Sequence, residues 1–208
     1  MRKLIDLETW DRKDHFLFYG KFKEPYHGVV VDVDVTRLYE HCKTVNESFF
    51  IAYLHAAIKA VNQTEALRYR IVDGQVYLYE TSHVTATIAR DKVPFGFSFV
   101  PFHQNFEVFK KDAMVEFERV KNSQGLDLSV TRDNIVHFST LPWIAFKSLS
   151  HARDLETQDC SPKITFGQTF RQNDRLMMPV AVHAHHGLVY GEDLAAFLGA
   201  FQRLLDAE

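Results

Sequence analysis

The apolar positions of the chain recur with helical spacing in three long segments. Residues 47–62, 104–122 and 192–206 carry apolar side chains three and four positions apart, which predicts an amphipathic helix in each. The last segment has the clearest pattern, because its large apolar residues fall on one face and its charges on the other. These apolar residues are Leu194, Phe197, Leu198, Phe201, Leu204 and Leu205.

Shorter runs rich in β-branched and aromatic residues predict strands elsewhere. They cover residues 28–35, 67–72, 76–79, 83–90 and 95–100, and further along 135–138, 143–148, 163–170 and 175–184. Asp73-Gly74 separates two of these runs and is a strong signal for a two-residue hairpin turn. Strands and helices do not alternate strictly, and no linker or repeat interrupts the chain. We therefore expect a single α+β domain over residues 1–208, with a mainly antiparallel or mixed sheet and helices packed on it.

Composition and charge narrow the possible functions by exclusion. Hydrophobic residues make up 46% and charged residues 25% of the 208 positions, which suits a globular protein with a full core. The net charge of −3 offers no basic surface for nucleic acid. No stretch approaches the roughly 18 apolar residues of a membrane span, and the charged N-terminus argues against a signal peptide. The two cysteines have neither CxxC nor metal-ligand spacing, so we expect a protein of the reducing cytoplasm.

The closest grouping of candidate catalytic side chains lies between the last predicted strand and the last helix, in His183-Ala184-His185-His186-Gly187. Strand alternation places His183 and His185 on one face, as two metal ligands would be, although no third ligand stands at a diagnostic spacing. Alternatively, these side chains are polar residues at a sheet edge, satisfied by backbone or water. A third interpretation makes one imidazole a general base, because histidine accepts a proton readily near neutral pH.

The same segment resembles the active-site motif His-His-x-x-x-Asp-Gly of the chloramphenicol acetyltransferase family. Here the motif stands as His185-His186-Gly187-Leu188-Val189-Tyr190-Gly191. Further blocks resemble the family in the same order. They are Trp10–Tyr19, Phe50–Arg68, Phe138–Trp143 with its Ser-x-Leu-Pro-Trp pattern, and Ile164-Thr165 followed by Asp174–Leu176. The resemblance extends from about residue 6 to residue 205, nearly the whole chain.

The resemblance implies the two-layer fold of the coenzyme-A-dependent acyltransferases. It also implies an O-acetyltransferase that moves acetyl from acetyl-CoA to a hydroxyl of chloramphenicol, or of a similar small acceptor, and so confers antibiotic resistance. No metal takes part in this chemistry. Members of the family are homotrimers with active sites at the subunit interfaces, so that His186 of one chain would face Ser139 and Tyr19 of the next.

The resemblance further implies a role for several side chains. His186 would be the general base that takes the proton of the acceptor hydroxyl, and Ser139 would donate a hydrogen bond to the tetrahedral oxyanion. Thr165 would hold a water near the transition state. Tyr19 would line the acceptor pocket, and Trp143 would lie on the coenzyme A side.

One position departs from the family motif. Tyr190 stands where the family has an aspartate that pairs with an arginine, while the arginine is kept as Arg12. In the family, that buried pair braces the loop that carries the catalytic histidine. Arg12 therefore needs another acceptor, either the hydroxyl of Tyr190 or one of the carboxylates of Asp14, Glu192 and Asp193.

Two functions stay open beside the active enzyme. One is a catalytically weak relative that binds coenzyme A or a small molecule. The other is a metal protein that uses His183 and His185.

Overall fold

The computed structural model describes residues 1–91, 94–126, 132–153 and 159–207 of the chain. The helices are α1 (Lys13–Tyr19), α2 (Thr36–Val45), α3 (Phe49–Gln63), α4 (Phe106–Lys121) and α5 (Gly191–Asp206). The strands are β1 (Arg2–Leu4), β2 (Tyr26–Asp34), β3 (Tyr69–Val72), β4 (Gln75–Tyr79), β5 (His83–Ala89), β6 (Phe95–Val100), β7 (Ile135–Leu141), β8 (Lys163–Gly167), β9 (Phe170–Gln172) and β10 (Arg175–His185). A 3₁₀ turn, Glu65–Arg68, precedes β3.

The described strands form two sheets. The larger has the order β2-β10-β8-β7-β5-β6, with β9 paired to β10, and the smaller has the order β1-β4-β3. β7 runs parallel to both β5 and β8, whereas the other pairs are antiparallel. The large sheet is therefore mixed, and the expected α+β class is confirmed.

The helices pack on one face of the large sheet and bury a common core. Helix α3 lies centrally, in contact with α2, α4 and α5, and Leu54 and Ile58 on it are fully buried. Ser48 caps this helix, because its hydroxyl accepts a hydrogen bond from the Ile51 amide at 3.4 Å. Alternate residues of the strands, such as Val182 and Ile164, belong to the same buried cluster. No described helix is long and apolar enough to cross a membrane.

The other face of the large sheet carries polar side chains. Register pairs Thr165 on β8 with Ala181 on β10, and pairs Ser139 on β7 with Thr165. Because side chains alternate between faces, these residues share the face opposite the helices. We call this surface the polar sheet face; its polar members include His137, Ser139, Lys163, Thr165, His183 and His185.

The predicted helices and the hairpin are confirmed, with boundaries that differ by at most two residues. The strand expected over 143–148 is wrong: this segment is a turn followed by irregular chain. Pro142 lacks an amide proton for a ladder, and the apolar Phe146 is buried by tertiary packing instead. The strand expected over 163–170 ends at Gly167. Helices α1 and α2 were not predicted; α1 buries only Phe16, and α2 buries only Leu38 and Cys42.

Candidate active site

A tight turn that carries His186 joins β10 to α5. The amides of Leu188 and Val189 donate to the carbonyl oxygen of His185 at 2.9 and 3.0 Å. The amide of Gly187 donates to Nδ1 of the His185 ring at 3.1 Å. Burial lowers the pKa of His185 to about 4, so its ring is neutral and accepts this bond at physiological pH. His185 thus holds the turn in place.

The imidazole of His186 lies between two aromatic rings. The Tyr19 ring is 4.1 Å away between centroids and inclined by 7°, and the His27 ring is 3.9 Å away and inclined by 15°. Both rings are nearly parallel to the imidazole at about 4 Å. Because two rings cannot occupy the same face at that distance, they lie on opposite faces of His186. Nδ1 of His186 is buried and has no hydrogen-bond partner among the described residues. Nε2 is therefore the nitrogen left to exchange a proton with a bound molecule.

The acceptor of Arg12 is Asp193. The two guanidinium nitrogens of Arg12 donate to the two carboxylate oxygens at 2.5 and 2.9 Å, and one of them also donates to the carbonyl of Leu188 at 3.1 Å. Asp193 additionally accepts from the Tyr190 amide at 2.7 Å, at the start of α5. Arg12 lies 4.5 Å above the centroid of the Tyr190 ring, so Tyr190 meets it with its aromatic face. The ion pair ties α1 to the turn that carries His186.

Ser139 and Thr165 lie side by side on the polar sheet face. The Ser139 hydroxyl accepts from the Thr87 hydroxyl at 3.4 Å, and the Thr165 hydroxyl is 3.4 Å from Nε2 of His151. Burial, then the neighbouring His183, lower the pKa of His151 to about 4, so this imidazole is neutral too. The site here offers uncharged hydrogen-bonding groups.

Within one chain, His186 does not reach the Ser139–Thr165 pair. Thr165 lies opposite Ala181, and His186 follows five residues further along β10 and its turn. At about 3.4 Å per residue this separation is roughly 17 Å. The residues that the sequence assigned to one site are therefore brought together in two groups, one at the turn and one on the sheet.

One expected placement changes. Tyr19 contacts His186 of its own chain, which corrects the expectation that it faces the histidine of a neighbouring subunit. The reason is that α1 is held to the turn by Arg12. Trp143 lies in the turn after β7 and is 74% exposed.

His183 and His185 on β10 each contact other groups of the protein. His185 accepts from the Gly187 amide, and His183 packs edge-on against His151 at 5.0 Å. Over residues 1–91, 94–126, 132–153 and 159–207, no three His, Cys, Asp or Glu side chains are grouped as metal ligands.

The sequence analysis missed one residue of the site, His27, and left a second, Asp193, unranked among three candidates. His27 carries no local motif, and only the pairing of β2 with β10 brings it to His186. Asp193 was one of three candidate carboxylates. Its place at the third position of α5, where carboxylates cap helices, could have favoured it over the other two.

A separate cavity lies among the helices. It has a volume of about 480 Å³ and is lined by α2, α3 and the start of α4, including Cys42, His55 and Lys59. None of the residues predicted for the site lines it.

Comparisons with known proteins agree over nearly the whole chain. A sequence model of the family "Chloramphenicol acetyltransferase" matches residues 2–202. Chloramphenicol acetyltransferase 3 of Escherichia coli is 25% identical over 206 residues, which is 98% of this chain and 97% of that protein. A solved structure of a chloramphenicol acetyltransferase superposes with a TM-score of 0.92 at 27% identity, covering 99% of this chain and all of the other. A dihydrolipoamide acetyltransferase of Azotobacter vinelandii shares the fold, with a TM-score of 0.71 at 14% identity over 87% of this chain and 81% of that one.

Proposed function

The chain belongs to the chloramphenicol acetyltransferase family of acyltransferases, and we propose that it transfers acetyl from acetyl-CoA to a hydroxyl of chloramphenicol or a similar small acceptor. The family resemblance drawn from the motifs is thereby confirmed. The observation that carries the proposal is the setting of His186, an imidazole clamped between two rings with one nitrogen left for proton exchange. Chloramphenicol is the first acceptor to test.

In the proposed reaction, Nε2 of His186 takes the proton of the acceptor hydroxyl as its oxygen attacks the thioester carbonyl. The Ser139 hydroxyl donates to the oxyanion that forms, with Thr165 beside it holding a water. When the tetrahedral intermediate collapses, the protonated imidazole returns its proton to the departing thiolate of coenzyme A. Acetyl-CoA is a co-substrate, and the neutral hydroxyls of Ser139 and Thr165 suit a thioester carbonyl.

We infer that the working site needs a second copy of the chain. His186 and the Ser139–Thr165 pair lie roughly 17 Å apart along the sheet, a distance that no hydrogen bond spans. A homotrimer in which His186 of one copy meets Ser139 of the next would join the two groups. Exposed apolar side chains at both groups support such an interface, with Phe18 55% and Trp143 74% exposed.

A thiol-release assay with acetyl-CoA and chloramphenicol tests the function. We expect release with the native protein and a loss of at least about 10²-fold in His186→Ala, the usual effect of removing a general base. His41→Ala, on the exposed side of α2, is the matched control and should keep full activity. Full activity in His186→Ala contradicts the mechanism. Binding of coenzyme A without thiol release would show the weak relative instead, and activity lost to a chelator and restored by zinc would show a metal protein.

A further inference from the structure

His27 contacts both the ring and the backbone of the turn that carries His186. The register of β2 on β10 places His27 opposite Ala184, two residues before His186. Its ring lies flat on that of His186, 3.9 Å between centroids. Nε2 of His27 lies 2.9 Å from the carbonyl oxygen of Val189, and since a carbonyl only accepts, the Nε2 proton is donated there.

Of the two rings that flank His186, His27 is the more firmly held. Tyr19 is the last residue of the short helix α1, and its neighbours Phe18 and Phe22 are 55% and 46% exposed. His27, in contrast, is fixed by strand pairing and by its bond to Val189. No hydrogen bond to a described residue fixes Nδ1 of His186. The orientation of the His186 ring therefore depends on its flanking faces, and His27 supplies the fixed one.

We propose that His27 is a positioning residue that holds the imidazole of His186 in the plane from which it takes the acceptor proton, an inference that rests on the proposed role of His186 as base. Proton transfer demands close alignment, and a misplacement of about 1 Å costs roughly 10²-fold in rate. An aromatic face also favours the positive charge that His186 gains during transfer.

The electrostatics of the pair agree with this arrangement. Burial, and then the nearness of His186, lower the pKa of His27 below its ordinary value. His27 is therefore uncharged at neutral pH and does not repel the imidazolium that forms on His186. The Nε2–H bond to Val189 is compatible with this neutral state, because only one ring nitrogen needs a proton.

A substitution series separates the flat face from the hydrogen bond. In His27→Ala we expect kcat to fall by about 10- to 100-fold with little change in either KM, because binding survives and alignment does not. His27→Phe keeps a flat ring, so it should retain most of the native kcat. His83→Ala is the matched control: His83 is also half-buried in a strand, and its Nδ1 accepts from the Phe102 amide at 3.0 Å. It should lower thermal stability and leave kcat unchanged.

Native kcat in His27→Ala overturns the proposal, and so does a His27→Phe variant as slow as His27→Ala. A second readout needs no activity and so separates this inference from the proposed function. In ¹³C-histidine-labelled protein, the NMR signal of the His186 ring is assigned by its loss in His186→Asn. Its chemical shift should change in His27→Ala, because the ring current of His27 is then removed. It should stay near its native position in His27→Phe and in His83→Ala. An unmoved signal in folded His27→Ala means that the two rings do not stack, and the inference then fails whether or not the protein acetylates chloramphenicol.

Discussion

Replacing Asp193 by asparagine tests the ion pair that joins α1 to the turn before α5. The side chains of Arg12 and Asp193 are only 17% and 13% exposed. Removing one charge of a buried pair costs about 3–5 kcal/mol. We take the lower end because both groups keep some solvent contact, and asparagine retains one acceptor, worth about 1 kcal/mol. The expected loss in the free energy of unfolding is therefore about 2 kcal/mol, which lowers Tm by roughly 4–8 °C for a chain of this size.

Urea unfolding followed by circular dichroism measures this loss, with Glu192→Gln as the matched control. Glu192 is exposed in the same first turn of α5, so its variant removes only the favourable charge at the helix N-terminus, worth about 0.3–1 kcal/mol. Equal losses in the two variants would refute the reasoning, because the pairing with Arg12 would then contribute nothing. Adding Tyr190→Asp to Asp193→Asn should recover stability, since Arg12 already lies 4.5 Å above the Tyr190 ring.

Three further outcomes are expected. Gly28→Ala should destabilise the protein by about 1–3 kcal/mol in thermal unfolding. The reason is that a Cβ there would lie 2.5 Å from the ring of His183 and 2.6 Å from the carbonyl oxygen of Val182. An unchanged Tm would contradict this packing. Ser139→Ala should lower kcat by about 10²- to 10³-fold with little change in KM, as for the loss of one oxyanion donor, and a changed KM alone would assign Ser139 to binding. Because the pKa of His185 is about 4 in the folded state and about 6.5 unfolded, the unfolded chain binds more protons between these values. Stability should therefore fall as pH drops from 6.5 towards 4, by up to about 1.4 kcal/mol per pH unit, and this component of the slope should be absent in His185→Asn.

The sequence predicted the elements that are specified by short-range patterns. The one-sided apolar spacing of 192–206 gave helix α5, and Asp73-Gly74 gave the β3–β4 hairpin. The same reasoning failed at 143–148, where the apolar spacing reflects the burial of Phe146 beside an irregular chain. It also passed over α2, whose ten residues bury only Leu38 and Cys42. Apolar spacing indicates that side chains are buried, but in short segments it does not by itself specify which element carries them.

The candidate site shows the same division. The residue types around His186, and the missing aspartate at Tyr190, could be read from the chain because they follow one another in a short motif. The place of Asp193 at the third position of α5 marked it as a capping residue, but it did not show the pairing with Arg12, which lies 181 positions away, because contacts at such separation depend on how the elements pack.

By itself, then, the sequence determined the class of fold, the family and the side chains available for chemistry. The tertiary structure alone decided their arrangement. Strand register set His27 against the imidazole of His186, and it placed Ser139 on another part of the sheet, out of reach within one chain. The physical reason is that a strand pattern fixes which face a side chain points to, whereas its neighbours are fixed by the strand that pairs with it.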